Sequence, residues 1–252
     1  MTRRERRPGR ALARLQALTP VLLLRAAHLK LALVTAGGLA GAAALSGRTP
    51  AAVAVVLATA LTGQVVLGWH NDLVDRARDA AHARDGKPLA PSRPGSGLDP
   101  STLWFWLAVA VLLVVPLAVF HGVWSGLAYL GSLVVGILGN VLLRGGWLSW
   151  LPWAVSYALY PAFLAYGGWA GRGRETPPEV SVTVLAALLG VCVHILVALP
   201  GLVADRQDGR RHLPLRIALR TGAPRLLWGT LLLTGLVLTA LLLTGARVGL
   251  TQ

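Results

Sequence analysis

Between Gly68 and Ala90 the chain reads GWHNDLVDRARDAAHARDGKPLA, and this stretch holds four of its ten acidic residues. Asn71, Asp72, Asp75 and Asp79 fall at i, i+1, i+4 and i+8. On a helix the three carboxylates line one face, because side chains three and four residues apart are neighbours there. A row of like charges repels itself, and this one follows an almost charge-free apolar run, at a boundary where burying charge is costly. Something positive must stand among them. Two kinds of partner fit: the bases Arg76, Arg78, Arg84 and Lys87, or a divalent cation. Mg²⁺ takes oxygen ligands, commonly a few carboxylates together with phosphate oxygens.

A second acidic stretch, LPGLVADRQDGRRHLPLRIA, begins at Leu199. Asp205 and Asp208 are again one turn apart, followed by Arg210, Arg211 and His212. Either stretch alone reads equally well as solvated loop charge. Two acidic faces flanked by bases, on the same side of one protein, favour a joint site that binds a polyanion through metal.

The elements that carry these residues are membrane helices. The 252-residue chain is 55% apolar and 13% charged, with a mean hydropathy of +0.62; soluble domains carry about 25% charged residues. Apolar blocks near the roughly 20 residues needed to cross a bilayer fall at about 20–45, 51–69, 101–120, 122–143, 147–170, 180–203 and 224–245. We therefore expect an all-α polytopic membrane protein with about seven transmembrane helices, since backbone in lipid must satisfy its own hydrogen bonds. A basic cytoplasmic arm over 1–19 is expected to precede a single transmembrane domain over 20–252. The Arg-rich start resembles the n-region of a signal peptide. Arg25, His28 and Lys30 inside the first apolar run favour a retained helix instead.

The net charge of +14 does not point to nucleic acid, because its distribution follows the membrane. Eighteen Lys and Arg fall on the side of the N-terminus and the two acidic stretches, against four on the other side. That asymmetry places the N-terminus and both stretches in the cytoplasm of a multi-pass cell-membrane protein. Cys192, the only cysteine, lies inside an apolar block and implies neither disulfide nor metal. Gln64, in an otherwise apolar helix, is expected to line a chamber. His194 is expected either to line it or to bond a neighbouring helix. Trp69, Trp147 and Trp150 near the cytoplasmic ends read first as interfacial belt residues, and His70 as structural.

These residues resemble the UbiA-type intramembrane prenyltransferases. Asn71, Asp72, Asp75 and Asp79 match that family's first motif, N-D-x-x-D-x-x-x-D, completely. Arg84, Lys87, Pro88, Leu89 and Ala90 are similar to its R-x-x-K-P-L segment. GNVLLRGGWLSWLPWAVSYALYP looks like its Y-[ND]-x-x-x-K segment followed by S-W-L-P, with Asn140 and Arg144 on the polar positions and Gly139 in place of Tyr. Asp205, Gly209, Leu213 and Pro214 match the second motif, but Gly201 stands where its first Asp belongs. The likeness runs from about residue 20 to 222; family members usually carry nine helices.

The resemblance implies an integral-membrane prenyltransferase that moves an isoprenyl group from a prenyl diphosphate to a lipophilic acceptor, with Mg²⁺ as cofactor. It implies Asp72, Asp75, Asp79 and Asp205 as catalytic carboxylates and metal ligands; Asp208, one turn beyond Asp205, is the further metal ligand expected to stand in for the oxygen that Gly201 lacks. Asn71, Arg78, Arg84, Lys87, Asn140, Arg144, Arg206 and Arg211 become the substrate-binding set. The expected partners are prenyl diphosphate, acceptor and membrane lipid, and no nucleic acid. Two alternatives stand beside this: a catalytically weakened homologue that binds isoprenoid diphosphate, and a small transporter. A transporter places its ionisable groups near the bilayer midplane, whereas here they gather at one face.

Overall fold

The computed structural model describes residues 18–82, 87–89, 97–168 and 176–248. All regular structure among them is helical: α1 (Thr19–Ala26), α2 (Leu29–Leu45), α3 (Pro50–Ala81), α4 (Pro100–Phe120), α5 (Val123–Leu138), α6 (Leu151–Tyr166), α7 (Val180–Ala198), α8 (Leu202–Gln207), α9 (Leu213–Thr221) and α10 (Ala223–Val248), with short turns of tighter or wider helix between some of them. Helix starts follow local chemistry. Pro occupies the first turn of α3, α4 and α9, where its missing N–H costs nothing. Thr49 caps α3 through the Ala52 N–H, and Asp99 caps α4 through the Ser101 N–H at 2.7 Å.

The expected first span, 20–45, is not continuous. It breaks between α1 and α2 with a 63° bend, at His28, whose φ of 50° is left-handed. Such a conformation is uncommon outside glycine and is worth relating to function. α2 then runs from the end near Asp72 to the end near Arg48, while α1 is held to α3 by the Trp69 indole on the Leu23 carbonyl. The break is packed onto α3 at Gly68, where a Cβ would lie 2.7 Å from the Ala27 carbonyl oxygen.

Among the described residues five helices, with α5 continued by the wider turn to Leu143 and α7 continued through α8 to Gln207, and the bent α1–α2 pair are long and apolar enough to cross a membrane. The expected span over 147–170 yields only the 16-residue α6, about 24 Å long against a hydrocarbon core of about 30 Å, because its first residues form a tight turn, Trp147–Trp150. By this measure the described residues hold five spans, or six with the bent pair taken as one, so the expected count of seven is not reached among them. The helix of α3 also continues beyond the expected 51–69, carrying the acidic row in regular α geometry.

α3 is the central helix. In its most apolar window 44% of residues are buried, against 17% in α10. Large side chains on the outer helices, such as Trp104, Leu112, Trp228 and Leu232, are exposed, which suits contact with lipid and not water. The interior is aromatic: Tyr129 and Phe163, both fully buried, stand 4.9 Å apart, and Tyr157 and Tyr160 are 5.1 Å apart. At the far end Arg48 donates to the carbonyls of Leu164 and Gly167, so the C-terminus of α6 is tied to the α2–α3 connection. The protein is a multi-pass membrane protein. The expected arm over 1–19 lies outside the described residues except for Leu18 and Thr19.

Candidate functional site

α3 ends in the acidic row, and its three carboxylates point inward: Asp72, Asp75 and Asp79 are buried. The positive partners that such burial demands are present: His28, Lys87, Arg144 and Arg210, from four separate parts of the chain. Lys87 Nζ stands 2.5 Å from Asp72 Oδ1 and 3.2 Å from Asp79 Oδ2. Burial alone would lower its pKa; the charges and hydrogen bonds of Asp72 and Asp79 outweigh that and raise it. His28 Nε2 also meets Asp72 Oδ1, at 2.9 Å, which gives the left-handed kink between α1 and α2 a place in the site. Arg144 Nη1 lies 2.5 Å from Asp75 Oδ1, yet both atoms are buried without a well-aligned hydrogen bond. Theirs is a contact of charges lacking the directed geometry of a hydrogen bond.

The second acidic stretch meets the first across α3 and α8. Asp205 is buried, and its Oδ1 accepts from Arg78 Nη2 at 2.6 Å and from Arg210 Nη1 at 3.3 Å. Its Oδ2 lies 3.0 Å from His212 Nε2. His212 Nδ1 accepts the Leu215 N–H at 3.2 Å, capping α9. That fixes the proton on Nε2, so the imidazole donates to Asp205. Asp208 accepts from Arg78 Nε and, at 2.6 Å, from His82 Nε2; these hydrogen bonds pull its pKa down to about 2.

Behind the charges opens a cavity of about 170 Å³ with mostly apolar walls from α2, α3, α5, α6 and α7. Arg144, Asn71, Gln64, Tyr157, Tyr160 and His194 are among the residues that line it. Asn140 lines it too, carried on a π-helical turn, Gly139–Leu143, that also delivers Arg144; single π turns are common at functional sites. His194 does both things expected of it: it lines the cavity, and its Nε2 meets Ser149 Oγ at 3.1 Å. Ser149 Oγ also accepts the Leu213 N–H, so it ties α7 to the start of α9.

The structure thus brings together Asp72, Asp75, Asp79, Asp205, Asp208, Arg78, Lys87, Asn71, Asn140 and Arg144. Arg206 and Arg211 are exposed, and among the described residues neither side chain contacts the carboxylates. Arg84 lies outside the described residues. Four members had no place in the candidate set read from the sequence: His28, His82, Arg210 and His212. The last two are next to the motif positions Gly209 and Leu213; His28 is one of three polar interruptions in the first apolar run. Trp69 is buried and donates to the Leu23 carbonyl at 2.9 Å, while the exposed Trp147 carries the Arg216 guanidinium 5.6 Å above its ring; Trp153 is the tryptophan that lines the cavity.

Among the described residues no group of three or more His, Cys, Asp or Glu converges into a self-sufficient metal site. The α3 row nevertheless fits a partial ligand set. Asp72 Oδ2 and Asp75 Oδ2 receive no protein donor among the described residues, and Asp75 Oδ1 is buried without a hydrogen bond. Mg²⁺ characteristically uses one or two carboxylates and takes its remaining ligands from water and phosphate.

No family model matches the chain, and no curated protein matches it. Three solved structures of a UbiA homolog from Archaeoglobus fulgidus share its fold. One, bound to Cd²⁺, superposes with a TM-score of 0.63 at 17% identity, over 91% of this chain and 81% of that one. Another, bound to DMAPP and Mg²⁺, gives 0.61 at 21% identity, over 86% and 75%. The third, bound to GPP and Mg²⁺, gives 0.62 at 20% identity, over 87% and 76%. The chain has the UbiA-like helical fold.

Proposed function

We propose that this protein is a UbiA-type intramembrane prenyltransferase, which binds a prenyl diphosphate with Mg²⁺ and passes the isoprenyl group to a lipophilic acceptor. The observation that carries this reading is the meeting of Asp72, Asp75 and Asp79 with Asp205 and Asp208 beside a mostly apolar cavity. The bound DMAPP and GPP of the fold neighbours support the donor class.

Mg²⁺ bound at the α3 carboxylates adds positive charge beside the diphosphate while its C–O bond breaks. The protein's own groups do the rest. Arg78, Lys87, Arg144 and Arg210 hold fixed positive charge where the leaving diphosphate gains negative charge, so they favour the transition state over the ground state. Asn71 and Asn140 orient the diphosphate end. The apolar walls exclude water from the allylic carbon until the acceptor attacks it, and the faces of Tyr157 and Tyr160 favour positive charge nearby. By the same reading the acidic face is cytoplasmic.

A product screen tests this. Membranes containing the protein, incubated with labelled DMAPP, GPP or longer prenyl diphosphates and Mg²⁺, should move label into a lipid-extractable product; label that stays on diphosphate or its hydrolysis product contradicts transfer. Gly201 favours one second reading, a weakened homologue that binds prenyl diphosphate without turnover. In that case the screen is blank while Mg²⁺-dependent binding persists.

A further inference from the structure

The two halves of the charged cluster are not equivalent. On the α3 side, carboxylate oxygens of Asp72 and Asp75 stand without protein donors among the described residues. On the α8 side all four oxygens are taken: Asp205 Oδ1 by Arg78 and Arg210, Asp205 Oδ2 by His212, Asp208 Oδ2 by Arg78 and Asp208 Oδ1 by His82. The position one turn before Asp205 is Gly201, which has no oxygen to add and sits in a tight turn at the start of α8.

Arg78 is the hinge of this arrangement. Its Nε and Nη2 grip the carboxylates of Asp208 and Asp205, at and just beyond the end of α8, while among the described residues Nη1 and the second proton of Nη2 remain as donors. A guanidinium held by two carboxylates is a fixed point charge with little freedom left to lose.

We propose that on the α8 side of the site positive charge is supplied by Arg78 and not by a second metal ion, so that the protein binds one divalent cation with its diphosphate, held from the α3 row. The inference rests on the prenyl-diphosphate reading of the site. Asp205 and Asp208 then act as positioning residues, fixing Arg78 so that its free donors meet a phosphate oxygen. Among the described residues, a metal ion on that side would have to displace Arg78, Arg210, His212 and His82 from Asp205 and Asp208.

The experiment counts Mn²⁺, as a spectroscopic stand-in for Mg²⁺, by electron paramagnetic resonance on purified protein saturated with geranyl S-thiolodiphosphate. One Mn²⁺ per chain with no Mn–Mn coupling is expected. Asp75→Asn should take the count to zero, Asp208→Asn should leave it at one, and Arg78→Met, which frees the α8 oxygens, should raise it to two. Two coupled ions in the unaltered protein overturn the inference and leave the prenyl-diphosphate reading intact. So does a single ion lost in Asp208→Asn but kept in Asp75→Asn, or a count in folded Arg78→Met that stays at one. Failure of the thiolodiphosphate to bind with any metal refutes the reading and the inference together.

Discussion

Asp75 is the residue on which the site turns, since it faces Arg144 and Arg210 and still has oxygen to give. On the proposed reading its replacement by Asn removes a metal ligand, and it leaves the half-buried Arg144 without its counter-charge. Mg²⁺-dependent affinity for a prenyl diphosphate analogue is expected to fall at least tenfold in Asp75→Asn and in Asp72→Asn, measured by calorimetry; affinities equal to the unaltered protein would remove these carboxylates from the metal's ligands. His212 makes a different prediction. It caps α9 and donates to Asp205, so His212→Ala should lose about 1 kcal/mol for the cap alone and more for the buried carboxylate left short of a donor. Thermal unfolding in detergent should show a lower midpoint, and an unchanged one would contradict the assigned bonds. The acidic row was legible in the sequence because helical spacing alone puts Asp72, Asp75 and Asp79 on one face. Its partners were less legible. Lys87 and Arg144 sit in recognisable segments, but nothing local marks His28 or Arg210 as facing a carboxylate far away in sequence, because ion pairing in three dimensions follows helix packing and not spacing.

At the scale of elements, the site exists because helices depart from straight runs. The α1–α2 break brings His28 to Asp72, the π-helical turn turns Asn140 and Arg144 inward, and the tight turn at Leu199–Gly201 starts α8. Apolar runs report that a segment is buried in lipid and do not report a change of direction, so these three features were hidden behind seven apparently continuous blocks. Only Arg25, His28 and Lys30, and the Pro200–Gly201 pair, hinted at them. The close approach at Gly68 can be tested directly. A Cβ there meets the Ala27 backbone, so Gly68→Val should cost about 1–3 kcal/mol by overpacking and displace His28 from Asp72. Gly235, where a Cβ meets nothing within 4 Å, provides the contrast: Gly235→Ala should keep or raise the unfolding midpoint, helped by about 1 kcal/mol of helix propensity. Equal effects of the two substitutions would contradict the packing.

For the whole molecule, the ends that carry Lys87, Arg144 and the 206–212 stretch gather on one face, and the ends near Arg48 and Gly167 on the other. The charge asymmetry of the sequence predicts that the first face is cytoplasmic. A reporter fused after Ala90 should read cytoplasmic and one fused after Arg174 external; the reverse would put the acidic cluster outside, away from cytoplasmic prenyl diphosphate. The all-α membrane architecture was legible from composition alone, because a chain this apolar cannot leave its backbone unpaired in lipid. The number of spans was not, because α6 is too short to be counted by length although it packs between α5 and α7. On the proposed reading the buried charge and the cavity behind it serve one prenyl diphosphate, and its binding is the most direct test. Titration of purified protein with geranyl S-thiolodiphosphate should show saturable binding in Mg²⁺ that is lost in EDTA and in Asp75→Asn. Binding of equal strength in EDTA, or none in Mg²⁺, would contradict the assignment of this cluster as a metal–diphosphate site.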